Sequence, residues 1–213
     1  MYLGRIVAVG RTIDGKNAAL YRVSSRSFPN RRAVFNDKGI AIVPRAGAEG
    51  DLAKNPYISY NAVRIAGKVW GVATNGSQTD PIAEKIDAGM PVRDAISLGL
   101  LALDYEHDSL DTPRIVAVVH CCEPVGFLGI IRKDALLVRE IKLVPGKVNY
   151  LSTYTCDRPS DAQCGEGFAA ATADEAAKYT VSGGVFADFD NPVTAAAAIA
   201  ENGGFSLGTF ICE

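Results

Sequence analysis

The stretch KVWGVATNGSQTDPIAEKI, residues 68–86, contains the change of pattern from which we predict the fold. From Lys68 to Ala73 the apolar residues recur with a period of two, which is typical of a β-strand. Beyond a polar turn, the apolar residues recur at helical spacing as far as Ile86. We expect Asp80 to cap this helix and Pro81 to occupy its first position. A strand is therefore predicted to lead directly into a helix.

Further strands are predicted on the N-terminal side of this stretch. Their period-two apolar runs span Leu3 to Val9, Ala18 to Val23, Ile40 to Val43 and Tyr57 to Ile65. Turn sequences at residues 36–39 and 66–68 favour hairpins, so we expect these strands to be antiparallel. A second helix, from about Pro91 to Tyr105, is predicted to follow the first.

The second half of the chain predicts the same order of elements. Strand patterns span Arg114 to Val119, Val125 to Ile131, Ala135 to Ile141 and Val148 to Thr153. A capping-box sequence at residues 172–175 opens a third helix, which we expect to stop at Gly183. The Asn191-Pro192 pair and the alanine run at 195–198 predict a fourth helix. Strands followed by a helix pair, twice over, predict an α+β fold in a single domain over residues 1–213, a four-layer αββα sandwich of two antiparallel sheets flanked by helices.

Composition excludes several classes of protein. Of the 213 residues, 48% are hydrophobic, which is enough for a sizeable core. No apolar run approaches the roughly 18 residues of a membrane span, so we expect no membrane association. An odd number of cysteines, five, and a start that does not resemble a signal peptide favour the cytoplasm. Cys156 and Cys164 could form a disulfide, bind a metal or have no special role. Because the sequence has no CxxC spacing, we predict that no metal is bound.

The formal net charge of -2 hides a strong asymmetry. Residues 1–45 carry nine Lys and Arg against two acids, whereas residues 150–213 carry two basic and nine acidic residues. This pattern is compatible with an anion site, with contacts between copies of the chain, or with no role after folding. Nucleic acid is not favoured, because dense basic clusters with stacking aromatics are absent from the sequence.

The densest polar cluster is YRVSSRSFPN, residues 21–30. On a strand, Arg22, Ser24 and Arg26 would share one face. Arginine donors and serine hydroxyls suit phosphate oxygens, which predicts a phosphorylated small molecule as ligand. The alternative is a solvated strand face whose charges pair with acids elsewhere.

Three other segments are candidates. In residues 55–61, Asn61 shares a face with Tyr57 and Ser59, while Tyr60 points to the other face. The tyrosine and amide side chains of this segment could form hydrogen bonds with a ligand, but they could equally be packed in the core. Asn75 and Ser77 lie in a loop before a helix, which suits an anion or the edge of a base, or else is only a turn and a cap. Carboxylates at a helix C-terminus oppose the helix dipole, and this conflict favours a proton-transfer role for Asp104 or Glu106 over a solvated helix end.

Several motifs together resemble those of archaeal-type IMP cyclohydrolases. They are MYLGR at 1–5, YRVSSRSFPN at 21–30, NPY at 55–57, YN at 60–61, NGS at 75–77, DYE at 104–106, TPR at 112–114 and NPVTA at 191–195. The resemblance covers almost the whole chain and departs mainly at residues 156–167. It implies a fold like that of the N-terminal nucleophile hydrolases without a terminal nucleophile, which agrees with a chain that begins Met1-Tyr2.

The resemblance implies cofactor-independent ring closure of 5-formamidoimidazole-4-carboxamide ribotide (FAICAR) to IMP, the last step of purine synthesis. Arg22 and Tyr60 are then the leading catalytic candidates, with Glu106 or Asp104 handling ribose or protons. The residues expected to bind substrate are Arg26, Ser24, Ser25, Asn75, Ser77 and Asn61. A non-catalytic regulator that binds purine ribotides is the alternative, and we also expect a homo-oligomer.

Overall fold

A computed structural model describes residues 1–212 as two antiparallel β-sheets with helices. The first sheet contains β1 (Ile6–Arg11), β2 (Asn17–Ser24), β10 (Lys147–Ser152), β11 (Cys164–Glu166), β12 (Pro192–Glu201) and β13 (Gly204–Ile211), in the order β11-β10-β1-β2-β12-β13. The second is a meander of β3 (Arg31–Asn36), β4 (Gly39–Pro44), β5 (Tyr60–Ala66), β6 (Trp70–Thr74), β7 (Arg114–His120), β8 (Val125–Arg132) and β9 (Ala135–Lys142). All pairs of neighbouring strands are antiparallel.

The main hydrophobic core lies between the two sheets. Tyr21 and Ala196 of the first sheet and Ala117 and Leu128 of the second belong to one cluster, and all four are fully buried. Helices cover the outer faces: α2 (Thr79–Asp87) and α3 (Val92–Leu103) pack on the second sheet, and α4 (Ala173–Ser182) packs on the first. The predicted α+β class, with two antiparallel sheets and flanking helices, is confirmed.

Shorter helices lie in the connections. They are α1 (Asp51–Lys54) and the 3₁₀ helices Pro56–Ile58 and Gly184–Asp188. Tyr57 and Ile58 were expected in a strand; the amide of Tyr57 instead donates to the Asn55 side chain, which starts a helical turn. None of the helices in residues 1–212 combines the length and the apolar content that a membrane crossing needs.

The predicted fourth helix is wrong. Residues 192–201 form β12, which pairs with β2 on one side and with β13 on the other, and β13 was not predicted at all. Ala195 and Ala197 face α4, while Ala196 and Ala198 face the second sheet, so each alanine is buried. Packing from both sides overrides the helix propensity of alanine, and the small side chain suits a strand enclosed between two layers.

The predicted cap of α2 is also wrong in detail. The helix begins at Thr79, and the Asp80 carboxylate accepts hydrogen bonds from Asn61 at 2.9 and 3.0 Å and from Arg64 at 2.9 Å. The carboxylate therefore joins the helix to β5. Two nearby donors outside the helix compete with its own backbone for this side chain.

Candidate functional site

A cavity of about 500 Å³ opens at one end of the sandwich. It lies where β2 and β10 end and where β1, β3 and β7 begin, so that both sheets contribute to its wall. Its lining residues are 2, 4, 5, 24–28, 31, 55, 58, 106, 108–110, 112, 153 and 154. Strand ends from two sheets thus bring together segments that are far apart in the sequence.

An ion pair forms part of the cavity wall. Arg5 donates from both terminal nitrogens to the Glu106 carboxylate, at 3.3 and 2.9 Å, in the forked geometry that arginine favours. Glu106 is only 1% exposed. Burial raises the pKa of Glu106 above its ordinary value, because the cost of burying the charge outweighs the attraction of Arg5 and of the nearby Arg114. A carboxyl group with a raised pKa is suited to taking up and returning a proton.

Arg31 provides an unused donor in the same cavity. Its side chain is 3% exposed, and its Nε donates to the carbonyl of Phe28 at 3.0 Å. Its Nη1 is buried and has no hydrogen-bond partner within residues 1–212. A buried unpaired donor is unfavourable, and an acceptor on a molecule bound in the cavity would satisfy this one.

The loop after β2 supplies the polar rim of the cavity. Ser24 and Ser25 both line it, and the hydroxyl of Ser25 accepts from the amide of Phe28 at 3.0 Å, which fixes the turn. The guanidinium of Arg26 is exposed and lies 4.0 Å from the centre of the Tyr2 ring. A positively charged rim with hydroxyl groups fits an anionic group such as phosphate.

A pair of tyrosine hydroxyls lies close to Arg5. The hydroxyl oxygens of Tyr21 and Tyr60 are 2.5 Å apart. Tyr21 is fully buried and Tyr60 is 8% exposed. Neither residue lines the cavity, because both rings belong to the core between the two sheets, contrary to the prediction for Tyr60.

Arg22 does not line the cavity, contrary to the prediction. It does share a face of β2 with Ser24, whose hydroxyl accepts from its Nε at 2.9 Å, but that face points toward α4. Its terminal nitrogens donate to five backbone carbonyls at the end of α4 and beyond, those of Thr180, Val181, Phe186, Phe189 and Asp190. Burial lowers the pKa of Arg22 to about 10. With its donors occupied, Arg22 holds the end of α4 in place.

Four more predicted residues lie outside the cavity. Asn75 is buried and bonds to the backbone of Pro113 and Ile115, while Asn61 bonds to Asp80. Ser77 is exposed away from the cavity lining. Asp104 ends α3, where its carboxylate accepts from the amide of Tyr105 at 2.9 Å. The side chains of Asn75, Asn61 and Asp104 are therefore occupied by bonds within the protein, whereas Ser77 forms no side-chain hydrogen bond within residues 1–212.

Arg5 and Arg31 were missed as site residues. In the sequence Arg5 adjoins a period-two apolar run, and Arg31 is one of an adjacent arginine pair, so neither stands out. The only available signal was the position of Arg5 in the MYLGR motif. Their partners, Glu106 and Phe28, become apparent only in the folded structure.

Comparisons with known proteins give a consistent result. The family model described as "IMP cyclohydrolase-like protein" matches residues 2–204. An IMP cyclohydrolase of Methanosphaera stadtmanae is 44% identical over 198 residues, which cover 93% of this chain and 94% of that protein. One from Methanococcus maripaludis is 42% identical over 210 residues, covering 98% and 100%. One from Halobacterium salinarum is 45% identical over 196 residues, covering 92% and 90%.

Proposed function

The chain belongs to the IMP cyclohydrolase-like family, and from that premise we propose that it is an enzyme that closes FAICAR to IMP with loss of water. The carboxamide nitrogen attacks the formyl carbon of the same molecule, the formyl oxygen leaves as water, and a C=N bond completes the ring. Since both reacting groups belong to one substrate, holding them in contact removes much of the barrier. The protein must then bind the phosphate, stabilise the oxygen as charge develops on it, and move protons.

The observation that carries this proposal is the meeting of three functions in one cavity. The rim with Arg26 and Ser25 is suited to the phosphate, and the unpaired Nη1 of Arg31 is suited to an oxygen of the reacting groups. Glu106 supplies a buried carboxyl group of raised pKa. The volume of about 500 Å³ lies in the range of small-molecule sites.

We assign the chemical steps on this geometry. Glu106 accepts the proton that the carboxamide nitrogen loses on attack and returns it to the formyl oxygen, while Arg5 holds the carboxylate in position. The second proton of the departing water is the one that the formamido nitrogen loses as the C=N bond forms. Arg31 donates to the formyl oxygen as negative charge builds on it. Tyr60, the other residue expected at this oxygen, bonds to Tyr21 in the core and does not line the cavity. Ser24, Ser25 and Arg26 hold the phosphate. This assignment replaces Arg22 with Arg31 as the cation at the reacting oxygen.

Turnover is the direct test. Purified protein is mixed with FAICAR, and the absorbance change of ring closure is followed. We expect conversion to IMP without added metal or redox cofactor. Binding of IMP with no turnover of FAICAR would instead support a regulator that senses purine ribotides, a function that no observation here favours.

The remaining expectations belong to the same proposal. The sandwich of two antiparallel sheets supports a fold of the N-terminal nucleophile hydrolase type in one domain. We also expect the protein to work in the cytoplasm as a homo-oligomer. We expect no binding to membranes or nucleic acids. For the latter, a titration with a mixed-sequence oligonucleotide at low salt should show no strong, salt-dependent binding.

A further inference from the structure

Two adjacent cysteines, Cys121 and Cys122, lie in the turn between β7 and β8. Their Sγ atoms are 3.3 Å apart, so both side chains point to the same side of the turn. Neighbouring side chains on a strand point to opposite faces, and this pair converges because β7 ends at His120. Cys122 is exposed and Cys121 is half-buried, which leaves the pair open to a small molecule from the solvent.

The backbone of this turn is held from two sides. Nδ1 of His120 accepts hydrogen bonds from the amides of Cys122 and Glu123, at 3.2 and 2.9 Å. The side chain of Asn17, on β2 of the other sheet, donates to the carbonyls of His120 and Glu123 at 2.8 and 2.6 Å. The two thiols are therefore positioned before anything binds, which reduces the entropy lost when both are joined to one ligand.

The spacing of the two cysteines favours a ligand with one sulfur-binding atom over a disulfide. A disulfide normally joins residues whose Cα atoms are about 4.4–6.8 Å apart, whereas a trans peptide bond holds these two only about 3.8 Å apart. Two sulfurs bonded to one atom at about 2.3 Å, with angles slightly above 90°, lie about 3.3–3.5 Å apart. The observed separation of 3.3 Å matches this arrangement.

A neutral ligand suits the pair better than a metal ion. Burial and the neighbouring thiol of Cys122 raise the pKa of Cys121, so its thiol keeps its hydrogen at neutral pH and donates it to the carbonyl of Gly203 at 3.3 Å. Metal ions bind thiolates, and within residues 1–212 no group of three His, Cys, Asp or Glu side chains could hold one. A trivalent arsenical bonds to two sulfurs and removes their hydrogens as water, so it needs neither a thiolate nor a third residue.

We propose that Cys121 and Cys122 form a dithiol site for trivalent arsenicals of the type R–As(OH)₂. Two As–O bonds and two S–H bonds break, two As–S bonds form, and two molecules of water leave. Arsenic stays trivalent, so the step needs no oxidant or reductant. The site is separate from the cavity, which lies where β7 begins, whereas the cysteines follow its end, roughly 20 Å away by the length of the strand.

Phenylarsine oxide, which forms such a hydrate in water, is the probe. Mass spectrometry of the intact reduced protein should show the addition of one phenylarsenic group with the loss of two thiol hydrogens. The adduct should survive an excess of mercaptoethanol, a monothiol, and should be removed by dimercaptopropanol, which offers two thiols of its own. Calorimetric titration with phenylarsine oxide then measures the affinity.

Three variants locate the site. Cys121→Ser and Cys122→Ser each leave one thiol of the pair, and we expect the affinity to fall at least about 100-fold, because the second As–S bond of a chelate forms at high effective concentration. Cys156→Ser is the matched control, since it removes a half-buried cysteine from another loop, and it should bind like the wild type. Circular dichroism establishes that each variant folds.

Three results would overturn the inference: wild-type affinity in Cys121→Ser or Cys122→Ser, loss of binding in Cys156→Ser, or removal of the adduct by mercaptoethanol. The first two would place the arsenic at other cysteines, and the third would show attachment to a single thiol. Binding is measured without FAICAR, so the result does not depend on the proposed function.

Discussion

Two buried arginines separated by only nine positions in the chain show how differently the same side chain is used. Arg22 is fully buried and gives its donors to one serine and five backbone carbonyls. Arg31 is 3% exposed and leaves Nη1 without a partner at the wall of a cavity. Arg64 Nε is also buried without a partner but lies outside the cavity lining, so the unpaired donor of Arg31 points to a ligand because Arg31 also lines the cavity. For these two buried arginines, the hydrogen-bond partners of the donors therefore distinguish a structural residue from a candidate site residue, whereas burial does not.

Replacing Arg22, the arginine with bonded donors, should have the largest effect, and that effect is a loss of stability. Arg22→Met removes the donor shared by the carbonyls that end α4, and we expect the free energy of unfolding to fall by about 3–5 kcal/mol. Urea unfolding measures this loss. If stability were unchanged and turnover abolished, Arg22 would belong to the site after all.

Glu106→Gln should lower kcat by roughly 10²–10³-fold, since the amide cannot transfer the proton. In the wild type, activity should fall as the pH drops through the pKa of Glu106, because protonation removes the base. Since burial raises this pKa, the acidic limb of the kcat/KM profile should lie above pH 4.5, the ordinary value for glutamate. A limb below pH 4.5, or one that persists in the variant, would contradict the role.

Loss of Arg31, the arginine with an unpaired donor, should affect turnover more than stability. Arg31→Met removes a donor to the reacting oxygen, and we expect kcat/KM to fall roughly 10²-fold. The free energy of unfolding should change much less than in Arg22→Met, because the unpaired Nη1 contributes no bond to the free protein. Equal losses of stability in the two variants would remove the distinction between them.

A substitution at the rim of the cavity should have the smallest effect of the four. Arg26→Ala removes an exposed cation, and we expect KM for FAICAR to rise about tenfold with kcat little changed, since the phosphate is bound equally before and during reaction. Raising the salt concentration should narrow the difference from the wild type. A fall in kcat without a change in KM would move Arg26 from binding to catalysis.

The sequence predicted the sheets better than the site. Periodicity identified most strands and three of the helices because each is a local pattern. It failed at Ala195–Ala198, where burial between two layers decides the structure. It singled out Glu106 and the 24–26 loop, which line the cavity, but not Arg31, because the difference between Arg22 and Arg31 lies in partners up to 168 positions away.

The most direct test of the comparison between the two arginines is a crystal structure with IMP bound. We expect the nucleotide in the cavity at the end of the sandwich, with one of its oxygen atoms within hydrogen-bond distance of Arg31 Nη1, and with the bonds from Arg22 to the carbonyls beyond α4 unchanged. IMP bound elsewhere, or bound in the cavity while Arg31 Nη1 stays unpaired, would contradict the assignment.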